Sequence, residues 1–89
     1  MKGWLPSGFT FSRDPEQKFL IVTDGTNQCV RFLNRKDGSE VTRIGTFGKN
    51  AGQFGSHLNW VDIDPKGNLY TLEVRYMDRA QKFIPVKDK

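Results

Sequence analysis

Residues Asp62 to Phe83 read DIDPKGNLYTLEVRYMDRAQKF. The stretch has the grammar of a strand, a tight turn, a second strand, a charged loop and a third strand. Pro65-Lys66-Gly67-Asn68 supplies turn residues, and Leu69 to Val74 supplies the β-branched and aromatic residues that suit a pleated surface. An earlier stretch, Phe11 to Phe32 (FSRDPEQKFLIVTDGTNQCVRF), repeats the same grammar in other letters. Asp14-Pro15 falls under Asp64-Pro65, Leu20-Ile21-Val22 under Leu69-Tyr70-Thr71, Asp24 under Glu73 and Phe32 under Phe83. An offset of about 50 residues, filled with strands, is the period of a propeller blade or a solenoid.

Outward from this pair the chain continues in short strands. Phe9 to Arg13 alternates apolar and polar residues, as a half-buried strand does. Phe19 to Val22 is apolar at every position, which implies cover on both faces. Cys29 to Leu33 is a third strand, and Asp37-Gly38 is a strong hairpin signal leading to a more polar fourth strand, Glu40 to Phe47. A Gly-rich connector follows, and the pattern restarts with strands at Asn59–Asp64, Leu69–Val74 and Arg79–Ile84. No helical periodicity appears. The expected class is all-β: antiparallel four-stranded β-propeller blades, slightly under two of them, the second without its outer strand. Residues 1–8 read as a connector, 9–47 as the first blade, 48–58 as the inter-blade connector, 59–85 as the second, incomplete blade, and 86–89 as a tail.

The lettering resembles the NHL repeat. The residues that carry the likeness are Gly52-Gln53-Phe54, followed by Val61-Asp62-Ile63-Asp64-Pro65-Lys66-Gly67-Asn68-Leu69-Tyr70, and in the first unit Asp14-Pro15, Phe19 to Asp24, Asn27 and Phe32. Two positions depart from the repeat. Glu73 stands where it has Asp, and Arg75-Tyr76-Met77-Asp78 lacks its usual Asn. The resemblance implies a propeller of about six blades and, in bacteria, a secreted or periplasmic setting. A subset of the family resembles a peptide-amidating lyase that holds zinc through His residues near the inner strands. The N-terminus, MKGWLPSG, shows no apolar signal segment, and no run approaches the roughly 18 apolar residues of a membrane helix.

Eighty-nine residues make one small domain, which buries only about 60–65% of its unfolded surface. Two blades cannot cover their own flat faces, and at least three repeats are expected for a stable stack. The expected partners are therefore copies of the chain, three of them closing about six blades as a homotrimer, or missing blades of a longer chain. A net charge of +4 is spread among acids with no basic block, which reads as a solvated surface and argues against a nucleic-acid footprint. The single Cys29 lies in an apolar strand and reads as a small buried filler rather than a nucleophile.

An up-and-down blade puts the connector and the loops after each second strand on one face. That face collects His57, Asn59, Asp24, Glu73, Arg75, Tyr76, Asp78 and Arg79. Of these, His57, Asn59, Glu73, Arg75, Tyr76 and Arg79 are the candidate ligand-binding residues. No catalytic set is present: no Ser-His-Asp order, phosphate loop or Cys-x-x-Cys. The lyase's metal-ligand position falls on Asn59, with His57 two residues early, and one His does not make a zinc site unless a ring brought copies of His57 together. Asp24 and Glu73 read as structural acids bonding turn amides. Arg31 and Lys82 are expected to be exposed, and Trp60 and Tyr70 to pack between blades. The sequence points to a propeller segment that binds a protein or small ligand through loops on one face. Its alternatives are a fragment of a lyase-like, metal-dependent enzyme and an RNA-binding face. No cofactor is evident; zinc or calcium would enter only with the lyase-like reading.

Overall fold

The computed structural model describes residues 6–55, 58–74 and 78–85. Its strands are β1 (Pro6–Phe11), β2 (Phe19–Asp24), β3 (Cys29–Asn34), β4 (Glu40–Ile44), β5 (Leu58–Ile63), β6 (Leu69–Glu73) and β7 (Arg79–Phe83). They form two antiparallel sheets, β1-β2-β3-β4 and β5-β6-β7, and no helix occurs among the described residues. The protein is all-β.

The turns after β1, β3 and β5 are each closed by a short polar side chain that satisfies the amides the strands leave behind. Between β1 and β2, Asp14 accepts bonds from the Ser12 hydroxyl and, at 3.1 Å, from Lys18 N. Between β3 and β4, Asp37 Oδ1 accepts from Ser39 N at 2.9 Å and Ser39 Oγ at 2.7 Å. Between β5 and β6, Asp64 accepts from Lys66 N and Asn68 N, both at 2.9 Å. Its second oxygen takes Asn68 Nδ2 and the Tyr70 hydroxyl, both at 3.0 Å. The Asn68 amide above all, with Tyr70 and Lys66 assisting, holds the Asp64 carboxyl at about 2.

Register fixes which residues share a face. Ile21 pairs with Phe32, Thr23 with Val30, and Val30 with Ile44, so these five lie on one face of the first sheet. In the second sheet Val61 pairs with Thr71, Ile63 with Leu69, Leu69 with Phe83 and Glu73 with Arg79. These two faces meet. Their core is Ile21, Val30, Phe54, Leu58, Val61 and Leu69, with Phe32, Ile44, Ile63 and Phe83 packed against it. β1 and β5 lie side by side where the sheets meet. Ser7 Oγ donates to Leu58 O at 2.6 Å and shares a 2.7 Å bond with the Thr23 hydroxyl, while Arg13 Nε donates to Ile63 O at 2.8 Å.

Two strand boundaries differ from the sequence expectation by three residues, and the others shift by two at most. β1 begins at Pro6, inside the stretch expected to be connector, because Ser7 anchors it to β5 and a leading Pro is tolerated at a strand start. β4 stops at Ile44 instead of reaching Phe47. Gly45 turns the chain with φ 92°, against the ring of Phe54. Lys82 is exposed as expected, but Arg31 is buried, 7% accessible, because it answers an acid that is itself fully buried.

Candidate functional site

The loops at one end of both sheets form a rim: the turn 25–28, the connector 45–55, the start of β5, and Val74 and Asp78. Side chains tie these pieces together. Leu58 N donates to Gln28 Oε1 at 3.4 Å, and Gln28 Nε2 donates to Gly25 O at 2.6 Å. Arg79 reaches across to Lys49 O at 2.8 Å and Gln53 O at 2.7 Å. Gln81 donates to Gln53 O at 2.8 Å and accepts from Gly52 N at 2.9 Å.

The Gly52-Gln53-Phe54 motif has a physical role here. Gly52 takes φ 82°, which residues with a Cβ rarely adopt. Gln53 Oε1 accepts from Asn50 N at 3.1 Å and so closes the loop on itself. Phe54 then drops fully buried between the sheets, its ring centroid 5.9 Å from that of Phe83. The connector is thereby plugged into the core and its outer residues are held on the rim.

Asp24 and Glu73 occupy matched places at the ends of β2 and β6, and both are fully buried. Asp24 Oδ1 accepts from Thr26 N at 2.9 Å and Asn27 N at 3.0 Å. Its Oδ2 accepts from Asn27 Nδ2 at 2.9 Å and from Arg31 Nε and Nη2 at 2.9 and 2.7 Å. Arg31 Nη1 goes on to Glu40 Oε1 at 2.6 Å. Glu73 Oε2 accepts from Gly55 N at 2.6 Å, and its Oε1 from Arg79 Nε at 2.8 Å and Gln81 Nε2 at 3.2 Å. Burial alone pushes both carboxyls up. The bonds from Asn27, Arg31 and Thr26 on Asp24, and from Arg79, Gly55 and Gln81 on Glu73, outweigh it, and both acids end below their ordinary values. They are ionised near neutral pH and their oxygens are occupied. Chemically they brace loops. Burial dominates at Cys29 and pushes its thiol up.

Of the sequence candidates, Glu73 and Arg79 are joined in this brace, and Asn59 is exposed at the start of β5. His57, Arg75 and Tyr76 lie outside the described residues. Sequence reasoning missed Gln53 and Gln81, which hold the connector, and the Arg31 link. The available signal was register: Arg31 sits diagonally across the β2–β3 hairpin from Asp24, within reach of a long side chain.

Among the described residues no group of three or more His, Cys, Asp or Glu is arranged to hold a metal ion. Two hollows lie away from the rim. A shallow one of about 510 Å³ is lined by Glu16–Phe19 and Asn34–Lys36. An apolar one of about 320 Å³ opens between the sheets at Phe32, Ile44, Leu69 and Phe83. No family model matches the chain, and no curated protein matches it.

Proposed function

We propose that the chain is a pair of consecutive NHL-type propeller blades that works as a binding or scaffold module, taking a protein or small ligand on the braced rim. The observation that carries this reading is the pair of buried acids. Asp24 and Glu73 spend all four carboxylate oxygens on loop amides and on Arg31, Arg79 and glutamine or asparagine side chains. A rim stiffened in this way binds without first having to order its loops, which lowers the entropic cost of association. Its outward groups are mixed: Thr26, Asn27, Asn50, Ala51 and Asn59 are exposed, and so are Lys49, Asp78, Val74 and the ring of Phe47. Such a surface suits hydrogen bonding to a polar ligand or peptide. The blade part of the reading is supported by the matched registers of the β2–β3 and β6–β7 hairpins, by the side-by-side β1 and β5, and by the plug made of Gly52-Gln53-Phe54.

The test is an amide-resolved NMR titration of the folded chain with a panel of short peptides, a set of polar small-molecule fragments and a single-stranded RNA. Shifts from peptides or fragments should collect at residues 25–28, 45–55, 58–59, 74 and 78–79. Shifts confined to the opposite turns, or tight, salt-sensitive binding of the RNA alone, would overturn the reading.

A further inference from the structure

The two sheets use different faces on each other. The first sheet presents Ile21, Thr23, Val30, Phe32 and Ile44, and the second answers with Leu69, Thr71, Glu73, Gln81 and Phe83. Through the hairpin registers, Leu20, Val22, Asp24 and Arg31 are the counterparts of Leu69, Thr71, Glu73 and Gln81, so the second sheet answers with the equivalent of the first sheet's far face. The contact is head-to-tail, which leaves a head on the second sheet and a tail on the first without a partner sheet; within that tail Val22, Asp24, Cys29 and Arg31 are already buried, and Phe9, Phe11 and Leu20 are its open part.

On both faces large apolar side chains stand open beside charged ones. On the second sheet, Trp60 pairs with Leu72 and Asp62 with Tyr70, and the three large side chains there are 44%, 43% and 38% exposed for Trp60, Leu72 and Tyr70. On the first sheet, Phe9 pairs with Val22 and Phe11 with Leu20, and Phe9 is 61% exposed. Large apolar side chains left open together on a sheet face mark an interface.

Resting on the reading of the two sheets as consecutive blades, we propose that the Trp60–Tyr70–Leu72 face of one chain docks on the Phe9–Phe11–Leu20 face of a second copy. Tyr70 and Leu72 hold the register positions of Ile21 and Thr23, which make the same contact within the chain. The new interface therefore continues the existing one by the same operation. By strand register Lys82, and not Phe83 as the sequence alignment had it, takes the place of Phe32, and the groove beside Phe32 is lined by Leu69 and Phe83, whose counterparts are Leu20 and Leu33. Leu33 pairs across the strands with Glu40, which Arg31 and Arg43 already hold, so the continuity of the contact and not charge carries the docking. A second position differs. Gly8 lies so close to β5 that a Cβ would stand 2.8 Å from Asn59 O, and its counterpart on the second sheet is Trp60. The inner strands of neighbouring copies stand apart by the thickness of the indole, and Trp60 is covered in the gap. A heterologous contact closes into a ring or runs on as a filament. A ring of about six sheets takes three copies.

The experiment is sedimentation velocity on the full chain and on two variants, Leu72→Asp and Phe9→Asp, alone and mixed. Both substituted side chains are exposed, and circular dichroism checks that the variants stay folded; Trp60→Lys serves as a second variant of the same face. The wild-type chain should form trimers with rising concentration. Each variant alone should be weakened by more than about tenfold. An equimolar mixture should give a one-to-one dimer that grows no further, because one good head remains for one good tail. Three results would overturn the proposal: a wild-type chain that stays monomeric, a Phe9→Asp chain that self-associates like wild type (head-on-head contact), or a mixture that stays monomeric. Methyl NOEs from Ile21 and Val30 to Val61 and Leu69 in the same samples separate the two ideas. If they persist while assembly fails, only the docking falls; if they are missing, the blade reading falls with it.

Discussion

Replacing Arg31 with Met removes a cation that touches a fully buried carboxylate through two of its nitrogens. Met keeps most of the aliphatic volume, so the loss is chiefly of the ion pair. Breaking a buried pair by deleting one partner costs about 3–5 kcal/mol, because the surviving charge stays in a medium that solvates it poorly. Asp24 retains Thr26 N, Asn27 N and Asn27 Nδ2 after the change, three donors that still favour the ionised form. The loss therefore falls at the lower end, about 3 kcal/mol. At roughly 0.05–0.15 kcal/mol per residue, that is a large share of the stability a chain of this length commands. Glu40 stands at the surface and has Arg43 at 2.6 Å as a second partner, so Glu40→Gln should cost far less than Arg31→Met. Urea unfolding followed by far-ultraviolet circular dichroism measures Arg31→Met, Glu40→Gln and the single Asp24→Asn, and the double variant Asp24→Asn/Arg31→Met completes a cycle. The double variant should lose less than the two singles together, by about 1–3 kcal/mol. A cost below about 1 kcal/mol for Arg31→Met, or strict additivity, would refute the role given to this pair.

Gly45→Ala places a Cβ 2.3 Å from a ring carbon of Phe54 at a φ of 92°, so it should destabilise by more than about 1 kcal/mol in the same urea assay; a neutral result contradicts the plug. Thr71 has a buried hydroxyl with no hydrogen-bond partner among the described residues, and its counterpart in the first sheet is Val22. Thr71→Val should therefore stabilise by about 1 kcal/mol, read as a raised urea midpoint. Asp24, Glu73 and Asp64 all titrate lower in the folded chain than in the unfolded one. Their stabilisation is complete above the unfolded values of about 4 and is lost as pH falls through the folded ones, with Asp64 at about 2. The melting temperature should be level from neutral to about pH 5 and fall steadily toward pH 2; an unchanged or rising value below pH 4 contradicts the braces.

The strand-and-turn plan was legible because each turn announces itself through its own side chains. Asp14, Asp37 and Asp64 bond the amides just ahead of them, and the strands between are β-branched and aromatic. Asp24 and Glu73 were readable as structural acids for the same reason: matched places in two repeats point to geometry. Ends of strands were less legible. The stop at Gly45 depends on a Phe54 ring that arrives from nine positions later in the chain, and local propensity does not carry that information. The burial of Arg31 was hidden because its partner lies across a hairpin, so only the register joins them. Trp60 and Tyr70 were expected to pack between blades. Alternation puts them on the far side from Val61 and Leu69, where the described residues leave them half open.

The claim on which the rest depends is that the two sheets stack in the same sense, the near face of the first on the counterpart of its own far face in the second. Methyl-resolved NOE spectroscopy on the wild-type chain at a concentration too low for association tests it directly. Cross-peaks should join Ile21 and Val30 to Val61 and Leu69, while Leu72 shows none to either. Cross-peaks from Leu72 to Ile21 or Val30, with Leu69 silent, would mean the second sheet is turned the other way and would contradict the account.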